Sequence, residues 1–312
     1  MAAIYSVPLD ADWNDERLWK LANPNLGVSV GMEFLRAQHR KALESPAAAI
    51  SFRRLHLNQW LGGSSAPFIA AEAWDTCRAE LKLEDFAGQV CCAGLDLGST
   101  RDLTALVLIF PGPDGTFSIV PRFFMPADTL KEHIQSDKKP YDIWRDQGHI
   151  TLTPGGTIDY RFIRKTIEAD FAKYELKDLA YDSWAANTIT QELNLTLGEE
   201  SDRPDDEQLK LWPFPQDIKN LSEPSKDLRE LVKAGKIRHD GNPLMRWMFD
   251  CCTVREDENK NIKPIKPKKS HGKRIDGVIA LVMGLARAKH HKMNLDFNKG
   301  DSIYETEDML VL

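Results

Sequence analysis

Three acids in this chain sit where a carboxylate can do chemistry. Asp96 closes the apolar run Cys91-Cys92-Ala93-Gly94-Leu95-Asp96, followed by Leu97-Gly98-Ser99. Asp182 ends Leu179-Ala180-Tyr181-Asp182, and Asp276 opens the apolar stretch Asp276-Gly277-Val278-Ile279-Ala280-Leu281-Val282-Met283 behind a basic segment. Two acids at strand ends and one at a helix start, far apart in the chain, suit a shared site for a hard divalent cation. Mg²⁺ or Mn²⁺ takes oxygen ligands, a few carboxylates together with water and substrate phosphate. Two such ions roughly 4 Å apart can clamp both the attacking and the leaving oxygen of a phosphodiester. The chemistry to expect is phosphodiester hydrolysis, with Asp96, Asp182 and Asp276 as both metal ligands and catalytic residues.

Each acid also has a plainer reading. Asp96 fits a turn that hydrogen-bonds its own backbone, Asp182 a helix cap, and Asp276 a first-turn acid favoured by the helix dipole. Asp102, across the turn from Asp96, reads first as turn-forming, with a role beside the metal ligands as the alternative. His271, shortly before Asp276, reads first as a surface residue, and otherwise as a group that positions water or assists a leaving group. Lys260, Lys263, Lys266, Lys268, Lys269, Lys273 and Arg274 cluster before Asp276. A solvated loop is the plain account of them. A loop that tracks phosphates is preferred because it leads straight into Asp276, with Lys266, Lys268, Lys269, Lys273 and Arg274 as the DNA-binding set. Phosphate contacts of this kind orient a duplex without reading its sequence, and they make affinity fall steeply with salt.

The elements that must position these groups follow from pattern. The chain has 312 residues, 42% hydrophobic and 28% charged, with a net charge of −6, as expected of a globular protein of one large domain with an appendage. The net charge argues against a wholly basic coat protein but leaves room for a local basic surface. No apolar run reaches the ~18 residues of a spanning helix, and the N-terminus lacks signal-peptide character. The expectation is therefore a cytosolic protein with no membrane association. Cys91-Cys92 and Cys251-Cys252 are adjacent pairs rather than spaced zinc pairs, so they read as small buried apolar residues.

Residues 1–85 read as a helical appendage without sheet pattern. From Val90 three strands follow, Val90 to Leu97, Leu103 to Phe110 and Thr116 to Phe124, the last two joined by Pro111-Gly112-Pro113-Asp114-Gly115. This is an antiparallel meander. Alternation comes next: a helix capped by Asp159, a strand over 179–182, a helix over 188–197, a strand over 209–214, helices over 225–232 and 243–252, and a last helix over 275–288. The fold class expected is α/β, a mixed central sheet flanked by helices, within a domain spanning 86–290. Residues 198–208 read as a solvated acidic loop, and 291–312 as a disordered tail.

That order, and five local motifs, resemble the C-terminal nuclease part of large terminase subunits of tailed bacteriophages and prophages, which is ribonuclease H-like. Gly94-Leu95-Asp96-Leu97-Gly98-Ser99-Thr100-Arg101-Asp102-Leu103-Thr104-Ala105 resembles the first nuclease motif of that family. Tyr181-Asp182-Ser183-Trp184 resembles the second, and Lys273-Arg274-Ile275-Asp276-Gly277-Val278-Ile279-Ala280-Leu281 the third. Asn242-Pro243-Leu244-Met245-Arg246-Trp247 and Asn261-Ile262-Lys263-Pro264 are similar to further family segments, and Leu18 to Gly27 resembles the joint between motor and nuclease. The resemblance implies an endonuclease that uses Mg²⁺ or Mn²⁺ to cut concatemeric viral double-stranded DNA in the host cytoplasm. It would do so with little sequence preference, alongside a portal protein and a small terminase subunit. Such proteins carry an N-terminal packaging ATPase. No Gly-rich pattern ending in Gly-Lys-Ser/Thr occurs here, so this chain by itself is not expected to hydrolyse ATP; the resemblance implies either a piece of a longer protein or a separate gene product.

Three rivals stand beside this reading. An actin-like ATPase or kinase would use Asp96-Leu97-Gly98-Ser99-Thr100 as a phosphate loop, but Tyr181-Asp182-Ser183-Trp184 lacks the glycine its second loop needs. A resolvase or integrase of the same fold would prefer branched DNA. A non-catalytic scaffold would bind no metal.

Overall fold

The computed structural model describes residues 4–44, 46–59, 67–98, 101, 103–182, 187–267 and 272–299. The chain divides after Pro67 into two compact units.

The first unit is helical. It contains α1 (Trp19–Ala22), α2 (Met32–Glu44) and α3 (Pro46–Leu55). Asp15 caps the turn before α1 by accepting from the Arg17 N–H. Val7, Trp19, Leu35, Phe52 and Leu57 form a small core of its own, and Trp19 packs edge-on to Phe52 with ring centroids 5.4 Å apart.

The second unit opens with α4 (Ala71–Asp75), whose Trp74 stacks on His239 at 4.1 Å. The meander follows as β1 (Val90–Asp96), β2 (Thr104–Pro111) and β3 (Phe117–Pro126). Then come α5 (Leu130–Asp137), α6 (Tyr141–Asp146), β4 (Thr151–Thr153), α7 (Tyr160–Lys173), β5 (Glu175–Tyr181), α8 (Asn187–Thr196) and β6 (Lys210–Pro213). The unit closes with α9 (Ile218–Lys233), β7 (Ile237–His239), α10 (Pro243–Cys251), β8 (Thr253–Glu256), β9 (Ile262–Ile265) and α11 (Asp276–Lys299).

Seven strands make one mixed sheet in the order β4-β3-β2-β1-β5-β6, with β7 also on β3. β1, β2 and β3 are antiparallel neighbours, while β5 runs parallel to β1 and β6 parallel to β5. β8 and β9 form a separate hairpin. β2 is buried almost end to end because both faces of the sheet are covered. Side chains alternate between those faces. Cys92, Ala105, Val107 and Ile109 pack with the apolar residues of α9, α10 and α11. Cys91, Leu95, Leu106 and Leu108 pack with Ile163 and Ile167 of α7 and Ile189 and Leu193 of α8. The adjacent cysteines thus face opposite sides of one strand, and all five cysteines are buried and free.

Two elements extend beyond their sequence pattern. The helix expected over 225–232 begins at Ile218, capped by Asp217, and carries Pro224 buried inside it. The last helix continues to Lys299.

Candidate active site

The parallel register of β1 on β5 pairs Leu95 with Tyr181. Asp96, the last residue of β1, and Asp182, the first after β5, therefore leave the sheet side by side at the carboxyl ends of two neighbouring inner strands. Asp276 reaches the same place as the first residue of α11, which lies across β1. Ile275 starts that helix, its carbonyl accepting from the Val278 and Ile279 N–H groups.

The electrostatics show that the three acids converge. Asp96 is half-buried. Burial first, then the charge of Asp276, then that of Asp182, push its carboxyl up to about 8. A hydrogen bond from Gln216 and the charge of Lys266 oppose the shift. Asp276 is 8% exposed, and its Oδ2 is buried without a hydrogen-bond partner. A buried carboxylate oxygen with no donor is costly. Beside a second and a third carboxylate, it presents acceptors only, the donor set of a hard divalent cation. The residues present therefore fit Mg²⁺ or Mn²⁺.

Gln216 is a site neighbour that the sequence did not mark. The β5–β6 register brings Pro213 beside Tyr181, and the Phe214 N–H donates to the Tyr181 carbonyl at 2.8 Å. That carries the next residues across the acids, where Gln216 Nε2 donates to Asp96 Oδ1 at 2.9 Å. Lys263 Nζ donates to the Gln216 carbonyl and fastens this loop to the β8–β9 hairpin. The hairpin is itself tied to α9 by the Ile262 N–H donating to Ser222 Oγ at 3.1 Å.

The basic residues separate into different roles. Lys266 is exposed just beyond β9, near enough to Asp96 to lower its pKa. Lys273 is half-buried. Lys260 turns back on Glu256 at 2.9 Å. Arg274, grouped with the DNA-binding lysines on sequence, points inward: its Nε donates to Asp137 Oδ2 at 2.7 Å and its side chain is 10% exposed. Asp102, Lys268, Lys269 and His271 lie outside the described residues.

A second cluster has metal-type ligands. Cys92, Asp178 and His291 bring their ligand atoms within 4.8 Å of one another. Arg287 already occupies this place, its Nε 2.7 Å from Asp178 Oδ2 and its guanidinium carbon 3.8 Å above the Trp212 ring. Burial disfavours the Asp178 charge, but His291 and Arg287 outweigh it and hold the carboxyl below its usual range. The counter-charge is thus internal, and the cluster fastens α11 to β5.

Comparison with known proteins identifies the family of the chain. Residues 2–292 match the family described as "Terminase large subunit, endonuclease domain". The chain is 31% identical to the large terminase subunit of Enterobacteria phage HK97, over 91% of this chain and 54% of that protein. It is 30% identical to Protein YmfN of Escherichia coli K12, over 98% of this chain and 64% of that one. It thus spans a little over half to about two thirds of the length of these relatives. The crystal structure of the HK97 large terminase superposes with a TM-score of 0.62 at 30% identity, covering 92% of this chain and 57% of that one. The mixed central sheet flanked by helices is ribonuclease H-like, and the chain belongs to the terminase large subunit endonuclease-domain family.

Proposed function

We propose that this chain is a divalent-metal-dependent endonuclease that cuts double-stranded viral DNA during genome packaging, with little sequence preference. The observation that carries the reading is the grouping of Asp96, Asp182 and Asp276: burial and then the charges of the other two acids raise the Asp96 pKa, and Asp276 Oδ2 is buried without a hydrogen-bond partner. Of the other two acids, Asp276 acts more strongly on Asp96, and Asp182 completes the set from the neighbouring strand. Bound there, divalent ions supply Lewis-acid stabilisation of the phosphodiester and a water acidic enough to attack near neutral pH.

The chain's own groups do the rest. β1 and β5 hold two carboxylates at fixed spacing, because both are buried strands in register. Gln216 holds Asp96 Oδ1 in one orientation. Lys266 and Lys273, with Lys268 and Lys269 between them in sequence, bind DNA phosphates next to the acids. As the family resemblance implies, the setting is the host cytoplasm, with a portal protein and a small terminase subunit as partners.

The test is plasmid cleavage with Mg²⁺, Mn²⁺ or EDTA, comparing wild type with Asp96→Asn and Asp276→Asn. Metal-dependent cutting lost in both variants supports the reading. Undiminished cutting by folded Asp96→Asn removes Asp96 from the site.

A further inference from the structure

A buried polar network joins the loop after Asp96 to the segment that leads into Asp276. Arg274 donates from Nε to Asp137 Oδ2 at 2.7 Å, and from its second terminal nitrogen to His133 Nδ1 at 2.8 Å. A guanidinium only donates, so Nδ1 must be the accepting nitrogen and the ring proton must sit on Nε2. That nitrogen is 3.1 Å from the backbone carbonyl of Arg101, to which it donates. Arg101 is held to α5 a second time by its ion pair with Glu132 at 3.0 Å.

Asp137 is saturated from its own side of the network. Tyr141 Oη donates to Oδ2 at 2.8 Å and Ser136 Oγ to Oδ1 at 2.7 Å. The segment that leads into α11 passes close against the end of α5. Gly272 has a φ of +71°, and a Cβ there would fall 2.8 Å from both Asp137 Cα and the Ser136 carbonyl.

α5 therefore grips two segments at once. Through His133 it holds Arg101, five residues after Asp96, and through Asp137 and His133 it holds Arg274, two residues before Asp276. We propose that Arg274 and His133 are positioning residues that set the separation of Asp96 and Asp276 for metal loading, and that Arg274 is not a phosphate contact. This inference rests on the reading of the three acids as a metal site. Its size follows from catalytic geometry, in which a misplacement of about 1 Å costs on the order of 100-fold in rate.

The experiment uses the full chain with Arg274→Lys and, separately, His133→Ala, each checked for a cooperative thermal transition. DNA affinity is measured against salt in EDTA, Mn²⁺ affinity by calorimetry, and cutting rate against Mn²⁺ concentration. Both variants should keep the wild-type DNA affinity and salt slope, bind Mn²⁺ about tenfold or more weaker, and cut roughly 100-fold slower at saturating DNA. His133 touches neither acid, so His133→Ala carries the test if Arg274→Lys does not fold. A third variant, Arg274→Gln, removes the charge: a salt slope lowered by about one there, with Mn²⁺ dependence unchanged, would make Arg274 a phosphate contact and overturn the proposal. Unchanged Mn²⁺ affinity and rate in folded His133→Ala would overturn it as well. Wild type that binds no Mn²⁺ is a different result: it removes the metal reading itself, and the positioning role with it.

Discussion

Gly94 in β1 and Gly284 in α11 meet backbone to backbone. A Cβ on Gly94 would stand 1.9 Å from the Ala280 carbonyl oxygen and 2.7 Å from the Gly284 nitrogen, and a Cβ on Gly284 would stand 2.7 Å from the Gly94 nitrogen. No side chain separates strand from helix at this crossing. Gly94 lies two residues before Asp96, and α11 begins at Asp276, so the contact fixes how deep the helix lies on the strand and hence how near the two acids come.

The first prediction follows from that contact. Gly284→Ala gains up to about 1 kcal/mol of helix propensity, but overpacking typically costs about 1–3 kcal/mol. The nearest atoms besides the Ile109 methyl are backbone and cannot step aside. Net destabilisation should result, and Gly94→Ala should be worse because it meets a carbonyl oxygen at 1.9 Å. Thermal melting checks the order. A Gly94→Ala protein that melts no lower than wild type would contradict the close approach.

The second prediction concerns Asp96 and pH. Its carboxyl sits near 8 rather than in the ordinary range near 3.9. A raised acid pKa means that the folded state binds the proton more tightly than the unfolded one. Metal-free stability is therefore greatest below about pH 4 as far as this group is concerned, and falls as pH rises towards 8. A divalent ion competes with that proton, so apparent metal affinity should rise over the same interval. Melting curves in EDTA from pH 6 to 9 should show a decline that Mg²⁺ reduces. Asp96→Asn should flatten it, and should melt higher than wild type at pH 8 without metal while cutting no DNA. A metal-free melting temperature independent of pH in wild type would refute the clustering argument.

Much of this site was legible in sequence, and the reasons are specific. β1 and β2 could be read because each is a continuous apolar run bounded by glycine or proline. The three acids stood out because each closes or opens such a run. The site's supporting groups could not be read. Gln216 meets Asp96 across 120 residues of chain, and no local pattern marks a glutamine before a helix cap as a neighbour of an acid. Arg274 looked like one more cation in a basic stretch, because charge alone does not say whether a side chain points to water or to a buried aspartate. The first two turns of α9 were hidden by Pro224, which normally ends a helix. β4 and β7, at three residues each, are too short for any period to show.

The lock between α11 and β5 supplies a third prediction. Asp178 is fully buried, and Arg287 is the guanidinium that pairs with it. Arg287→Met would retain much of the packing over Trp212 but leave the buried carboxylate with His291 as its remaining partner, 3.1 Å away. Breaking one side of a buried pair costs about 3–5 kcal/mol, so the melting temperature should fall by on the order of 10 °C. Adding Asp178→Asn to Arg287→Met removes the stranded charge and should recover part of the loss. A double variant no more stable than Arg287→Met would show that packing, not charge, is what Arg287 contributes.

Lys266 and Lys263 are three residues apart, and their different surroundings give the fourth prediction. Lys266 is exposed beside Asp96, whereas Lys263 is committed to the Gln216 carbonyl. Lys266→Ala should weaken DNA binding uniformly across sequences and lower the salt slope by about one, the signature of a lost phosphate contact. Its removal also takes away a charge that favours ionised Asp96, so the pH at which metal binds half-maximally should move up. Lys263→Ala should leave the salt slope alone and act through Gln216, loosening the loop that orients Asp96 Oδ1 and so raising the metal concentration needed for cutting. Filter binding across a salt series, together with metal titration of cutting, separates the two. If both lysines lower the salt slope equally, Lys263 reaches the DNA in the complex, and its bond to the Gln216 carbonyl gives way when DNA binds.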